Sequence, residues 1–339
     1  VYSPTGNVSA AQVGEETKPI GHALEKFFGQ PPVTEYYFLF YFDDPKNLPV
    51  LKGDKEGLSS GLGALEHSQC SFYYLLEGDF ETTVKPLIHE SSPHEFLHIL
   101  TPLHLHSVEI ADFNFRKPVM SEHLWMYEGV TEYFANLIQL QDSIMTLKDY
   151  MAAMKEKINQ SDEYGAFSYT DMSKNIVTPA YAKSYPSVYN RAALLGMMLD
   201  WDIIEATGGK MNLKKTMFEL SKIYGLDKPF NDSELIGKFV ELTSPKVQQF
   251  FDDYIIGSKK PDYKAQFAKI GWQYDSLYQK SGYYFGKLGL GYDPSKKQFI
   301  FSKVENNTLQ IKEGDELLAV NGTEVSLENA ARLVCGALL

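Results

Sequence analysis

His94-Glu95-Phe96-Leu97-His98, preceded by Ser92-Pro93, is the stretch on which the reading of this chain turns. The apolar pattern from about Phe80 to Leu103 predicts a helix, broken or kinked at Pro93. Residues four apart share one face of a helix, so the two imidazoles stand one turn apart and can grip a single ion. Glu95 lies next to the first of them and can reach a water on that ion. Imidazole suits zinc, and a catalytic zinc site keeps one position open for water. The same residues also fit a capping box, with Ser92 as N-cap, Pro93 at the first helical position and Glu95 reaching back. Glu95 is then structural.

A zinc site needs a third protein donor, and two candidates present themselves. His104 stands six residues after His98, the spacing of the HExxHxxGxxH pattern. That pattern needs a Gly to turn the chain back, and Thr101 occupies the place. The other candidate is Glu128, in Leu124-Trp125-Met126-Tyr127-Glu128-Gly129-Val130-Thr131-Glu132-Tyr133-Phe134. A carboxylate from a second helix completes a His2Glu set, and the turn chemistry favours it. Glu132, one turn further along the same face, can accept the free N–H of a ligand imidazole. The plain alternative for both acids is a solvated helix face.

Outward from this centre the pattern is strands first, helices after. Residues 9–29 read as a helix stopped by Pro31-Pro32. Glu35 to Phe42 is an aromatic strand, Lys52 to Gly63 a Gly- and Ser-rich loop, and Ser68 to Leu76 a second strand. Helices are expected over 122–141, 146–159, 188–206, 211–223, 231–242 and 245–256. Residues 282–325 are Gly-rich, with short alternating strands and an Asn321-Gly322 turn, and read as a small β-rich domain. The fold class is α+β, with a helical second lobe.

The net charge of −12 lacks the basic footprint of a nucleic-acid binder and disfavours an anionic membrane surface. No run of about 18 apolar residues reads as a transmembrane segment. Cys70 and Cys335 are too few for a disulfide framework or a cysteine zinc site, so two free thiols are expected. The opening Val1-Tyr2-Ser3-Pro4-Thr5-Gly6 reads as the end of a strand, and an N-terminal portion is expected before it.

Four motifs in order resemble the M61 family of metallopeptidases, the glycyl aminopeptidases. They are Gly61-Leu62-Gly63-Ala64-Leu65-Glu66-His67-Ser68, similar to a G-G-L-E-H-x-x-S strand; His94 to His98; Trp125 to Phe134; and Tyr189-Asn190-Arg191-Ala192, similar to Y-x-K-G. The resemblance implies a thermolysin-like catalytic domain with a mixed β/α first lobe (1–110) and a helical second lobe (111–262). A small β-rich PDZ-like domain (263–339), incomplete at its end, follows. In that last region Leu288-Gly289-Leu290-Gly291-Tyr292 is similar to a PDZ carboxylate-binding loop, and Ile311 to Gly322 to the G-D-x-L-x-x-V-N-G stretch.

The resemblance also implies roles. His94, His98 and Glu128 hold Zn2+, Glu95 is the general base and Tyr189 stabilises the oxyanion. Glu66 anchors the substrate's free α-amine beside Gly63 and Ala64. The implied partners are a peptide or protein substrate with a free N-terminus and a peptide C-terminus at the PDZ-like domain. The implied location is the bacterial cell envelope. Two departures bear on substrate preference: Ile99 to His106 replaces a W-N-V-K-R-like stretch, and Arg191-Ala192 replaces Lys-Gly. The resulting expectation is a zinc aminopeptidase. The alternatives are a zinc endopeptidase, or an inactive peptide-binding scaffold using the PDZ-like end.

Overall fold

Ser9 starts the first helix, α1 (Ala10–Phe28), by accepting from the Gln12 amide while Gln12 returns a bond to the Ser9 amide. This reciprocal pair satisfies two donors that a bare helix start leaves open. Gly29 ends the helix in the left-handed region at φ 79°, where a side chain is strained. The buried stripe of Val13, Ile20, Leu24 and Phe27 faces the helices that carry His94 and Glu132.

The computed structural model describes residues 1–44, 62–114, 116–275, 287–293, 295–296, 298–305, 310–320 and 322–326. It forms two compact units, Val1–Trp272 and Gln273–Leu339.

In the first unit, β1 (Tyr37–Asp43), β2 (Gly63–Glu66) and β3 (Cys70–Leu76) make a three-stranded sheet in the order β1-β3-β2. β1 runs parallel to β3 and β2 antiparallel to it, so the sheet is mixed and β2 lies at its edge. Strand alternation sorts the side chains. Phe40, Phe42, Tyr73 and Leu75 are buried, whereas Tyr37, Leu39, Tyr41 and Phe72 are exposed on the other face.

A π-helical turn, Phe80–Val84, runs into α2 (Lys85–Leu97), which carries the HEFLH residues. Here the capping-box reading is corrected. The helix runs unbroken through Ser92 and Pro93, and Ser92 is fully buried mid-helix rather than at an N-cap. Pro93 has no N–H, so the His89 carbonyl one turn back has no helical donor. The Gln139 amide supplies one at 2.9 Å, which is how the helix tolerates the proline.

The rest of the unit is helical: α3 (Val108–Ala111), a π-helical segment (Trp125–Val130), α4 (Thr131–Gln141), α5 (Leu147–Ser161), α6 (Tyr169–Lys174) and α7 (Pro179–Ala182). A 3-10 turn, Tyr185–Val188, leads to α8 (Arg191–Thr207), then α9 (Leu213–Ile223) and α10 (Asp232–Leu242). The expected helix over 245–256 is three short pieces: Pro245–Val247, α11 (Gln248–Phe250) and Phe251–Ile255. α12 (Tyr263–Lys269) follows. α8 is buried on every side from Arg191 to Asp200, the mark of a central helix. It meets the π-helical segment very closely: a Cβ on Gly129 would lie 2.7 Å from the Ala192 carbonyl carbon. Only glycine fits there, and the contact sets Glu128 beside the start of α8.

The second unit contains a β4 (Lys287–Asp293), β5 (Gln298–Glu305) and β6 (Glu316–Leu317) sheet and a β7 (Ala319–Val320), β8 (Thr323–Glu324) pair. Leu288 to Tyr292 form part of a strand, with a bulge at Gly289/Leu290, rather than a loop. Asn321, Gly61 and Cys335 lie outside the described residues, and Cys70 is a free thiol. Among the described residues no helix is long and apolar enough to cross a membrane.

Candidate active site

One turn of α2 separates His94 from His98, and their rings meet edge to face with centroids 4.7 Å apart. Both are buried, as is Glu95 between them. Ligating atoms of these three residues all lie within 4.8 Å of one another. The π-helical segment delivers the fourth group: Glu128 Oε2 is 3.2 Å from His94 Nε2 and 3.7 Å from His98 Nε2. A π turn adds a residue to the helical repeat and so re-aims a side chain, a device found often at functional sites.

The far side of each imidazole is already engaged. His94 Nδ1 lies 2.9 Å from Glu132 Oε2, and His98 Nδ1 lies 2.9 Å from the Thr101 carbonyl. An Nδ1–H donated to each acceptor leaves the Nε2 of both rings on the side of Glu128, where it can bind a cation once unprotonated. That is the tautomer a metal ligand needs. Glu132 is fixed in turn by Lys157 Nζ at 2.7 Å and Asn136 Nδ2 at 2.9 Å. Lys157 also donates to the Tyr189 carbonyl at 3.0 Å, so one ammonium ties α4, α5 and the Tyr189 turn together.

The electrostatics call for a cation at this point. Burial disfavours a charged His94, yet the hydrogen bonds it donates to Glu128 and Glu132 push its pKa up to about 10. Burial likewise opposes ionisation of Glu132, but Lys157 and His94 hold it down at about 2. Glu128 is kept below the usual carboxylate range by His94 and His98 against the same burial. Burial lowers His98, which favours the neutral ring. Glu95 is pushed by burial up to about 7, despite the opposing pull of His94. With the Nε2 proton of His94 released to the incoming ion, two imidazole nitrogens and a carboxylate, with outer partners satisfied, fit zinc. This is an HExxH-type zinc site.

These groups line a cleft of about 610 Å³. Gly63, Ala64 and Glu66 of the edge strand β2 form one wall, and Tyr185 and Tyr189 part of another. Glu66 has no ion-pair partner among the described residues, and it acts electrostatically on both Glu95 and His98. The Tyr189 ring centroid is 5.7 Å from that of His94, and its hydroxyl is 3.0 Å from that of Tyr185. Burial and Glu128 raise the Tyr189 pKa far above its ordinary value, so the hydroxyl stays a donor.

The other histidines weighed from the sequence are elsewhere. His104 Nε2 lies 3.1 Å from the Ser221 carbonyl on α9, outside the cleft wall. His106 pairs with the Pro102 carbonyl, and His123 sits between Trp125 and Asp232. His67 does not line the cleft either. Arg191, in the place of the family's Lys, is buried and donates to the Ser161, Tyr164 and Gly165 carbonyls. Lys157, Tyr185 and the Thr101 carbonyl were not singled out in the sequence. Lys157 stands 25 residues from Glu132, and no spacing rule links them. Glu90 was also passed over, although its place one turn before His94 is a same-face spacing.

Residues 88–195 match the family model of the M61 glycyl aminopeptidases. That segment holds His94, Glu95, His98, Glu128, Glu132 and Tyr189. Comparison with curated proteins gives no match. Among solved structures, an aminopeptidase N family protein from Idiomarina loihiensis aligns with a TM-score of 0.65 at 16% identity. The alignment covers 98% of this chain and 58% of that one, so this chain spans little more than half its length. The likeness is one of fold. An M1 zinc metallopeptidase mutant from Deinococcus radiodurans, bound to a Tyr-Ser-Ala substrate, aligns with a TM-score of 0.48. There the identity is 16%, over 76% of this chain and 47% of that chain.

A test of the outer partners follows. Glu132→Gln is expected to weaken zinc affinity by about 10–100-fold, the usual loss when a ligand's partner is changed. Competition against a chromophoric chelator measures it, and an unchanged affinity removes Glu132 from the account.

Proposed function

We propose that the chain is a zinc-dependent aminopeptidase that hydrolyses the N-terminal bond of peptides. One observation carries this: a His94–His98–Glu128 convergence with Glu95 alongside, in a cleft walled by an edge strand that ends in Glu66, a carboxylate with no ion pair among the described residues. Zinc held by His94, His98 and Glu128 would polarise the scissile carbonyl and make a water acidic. An extended peptide adds to β2, an edge strand among the described residues, with Gly63 and Ala64 offering backbone partners. Glu66 pairs with the α-ammonium and sets the register at one residue. Glu95 takes a proton from the attacking water and passes it to the leaving nitrogen. The water's oxygen ends on the new carboxylate and its proton on the released amine. Tyr189 donates its O–H to the carbonyl oxygen as negative charge gathers there.

We also read residues 1–110 and 111–262 as the two lobes of a thermolysin-like domain, and 263–339 as a PDZ-like one. The paired strands around Gly314 and Asp315 support the latter. A peptide C-terminus is the ligand this reading assigns to it.

The test is a panel of free-amine peptides and their N-acetylated forms, assayed with and without chelator. Free peptides are expected to lose one residue at a time. Acetylation should cost on the order of 10–100-fold in kcat/KM, the worth of one charged hydrogen bond. Equal cleavage of acetylated peptides makes the protein an endopeptidase. No cleavage of either set leaves a peptide-binding role.

A further inference from the structure

The cleft does not end at the metal centre. A second cavity of about 350 Å³ opens beside it and shares Glu90, Glu132, Lys157 and Asn190 with the cleft wall. Its remaining wall comes from α2, α4 and α5, and includes His89, Glu156 and Gln160. Its volume lies in the range of a small-ligand pocket.

Its charges do not balance. Lys157 is committed to Glu132 at 2.7 Å. His89 is engaged by Glu16 at 2.7 Å and by Gln139 at 3.1 Å. Among the described residues Glu156 accepts from Gln160 alone, at 2.9 Å, and Glu90 makes no ion pair, although Lys157 and His94 act on it through space. Among the described residues, two carboxylates therefore line this space without an ion pair of their own. Burial and the nearby Glu132 raise the Glu90 pKa, against the opposing pull of Lys157 and His94.

Helix α2 gives the direction. Glu90, His94 and His98 lie at successive turns of one face, spanning about 12 Å at 1.5 Å per residue. Glu66 acts on His98 and Glu95, at one end of this row. Glu90 acts with His94, Glu132 and Lys157, at the other. A peptide whose amine meets Glu66 and whose scissile carbonyl meets the His94–His98 point runs its leaving portion toward Glu90.

We propose that this cavity is the subsite for the side chain that follows the scissile bond, and that Glu90, with Glu156 further out, selects a lysine or arginine there. This rests on the aminopeptidase reading for its direction. Glu90 touches neither the ion nor the scissile bond; it is a specificity residue.

Peptides identical except for Arg, Ala or Glu at the second position test it, in two measurements. The first is kcat/KM with the zinc-loaded wild type, Glu90→Gln and Glu90→Lys. The wild type should favour Arg over Ala by about 10-fold, the value of one screened charge pair. Glu90→Gln should erase the preference, read as the Arg-to-Ala ratio of kcat/KM within each variant, and Glu90→Lys should turn that ratio toward Glu. The second is equilibrium binding of the three peptides to Glu95→Gln and to Glu95→Gln/Glu90→Lys, which needs no turnover. Cleavage with equal kcat/KM for all three peptides overturns the subsite and leaves the aminopeptidase reading intact. Binding that favours Arg only when Glu90 is present, with no cleavage by the wild type, overturns the aminopeptidase reading and leaves the subsite standing. Equal binding of all three peptides by Glu95→Gln overturns the subsite whatever the activity.

Discussion

Glu95→Gln is expected to keep its zinc and to lose about 10²–10⁴-fold in kcat, the range for removal of a positioned general base. Glu95 is buried next to both histidines, and glutamine has nearly the same shape, so the donors around it need not move. What the amide lacks is an oxygen able to take a proton. Substrate affinity should change little, because Glu66 and the β2 edge lie outside the substitution. Steady-state kinetics beside a metal assay on the same sample check this. Undiminished kcat would assign the base elsewhere and return Glu95 to a structural role.

His94→Ala is expected to have a larger effect, because two functions sit on one ring. Its Nε2 side faces Glu128 and its Nδ1 side holds Glu132. Removing the ring takes away one of three zinc donors and strips Glu128 and Glu132 of a partner in a buried setting. Loss of one member of a buried charged pair typically costs about 3–5 kcal/mol. In the wild type, zinc at 100 times its Kd adds about 2.7 kcal/mol to stability by binding only the folded state. Chelation should therefore lower the wild-type melting temperature and leave that of His94→Ala unmoved. A variant that still responds to chelator binds its metal without His94.

Much of the centre was legible because its signals are local. The i, i+4 spacing of His94 and His98 makes a shared helix face, and Glu128 with Glu132 repeats that spacing. The rejection of His104 also rested on local chemistry, the missing glycine at Thr101, and the imidazole points to α9 instead. What escaped depends on tertiary contact. Lys157 arrives from α5 and ties Glu132 to the Tyr189 carbonyl, and no sequence interval announces that meeting. Pro93 suggested a helix start because its missing N–H usually demands one. Gln139, from α4, supplies the lost bond and lets α2 run on. The pattern over 122–141 reads as one helix, but the helix begins at Trp125 with a π-helical turn, and that turn aims Glu128. The close pass of Gly129 against Ala192 has the same origin, since it joins segments remote in sequence.

The central claim is that His94, with His98 and Glu128, holds one zinc ion. Elemental analysis of wild type and His94→Ala, purified side by side and dialysed free of loose metal, tests it most directly. The account predicts one zinc per wild-type chain and essentially none in the variant. One zinc per chain in both would contradict it.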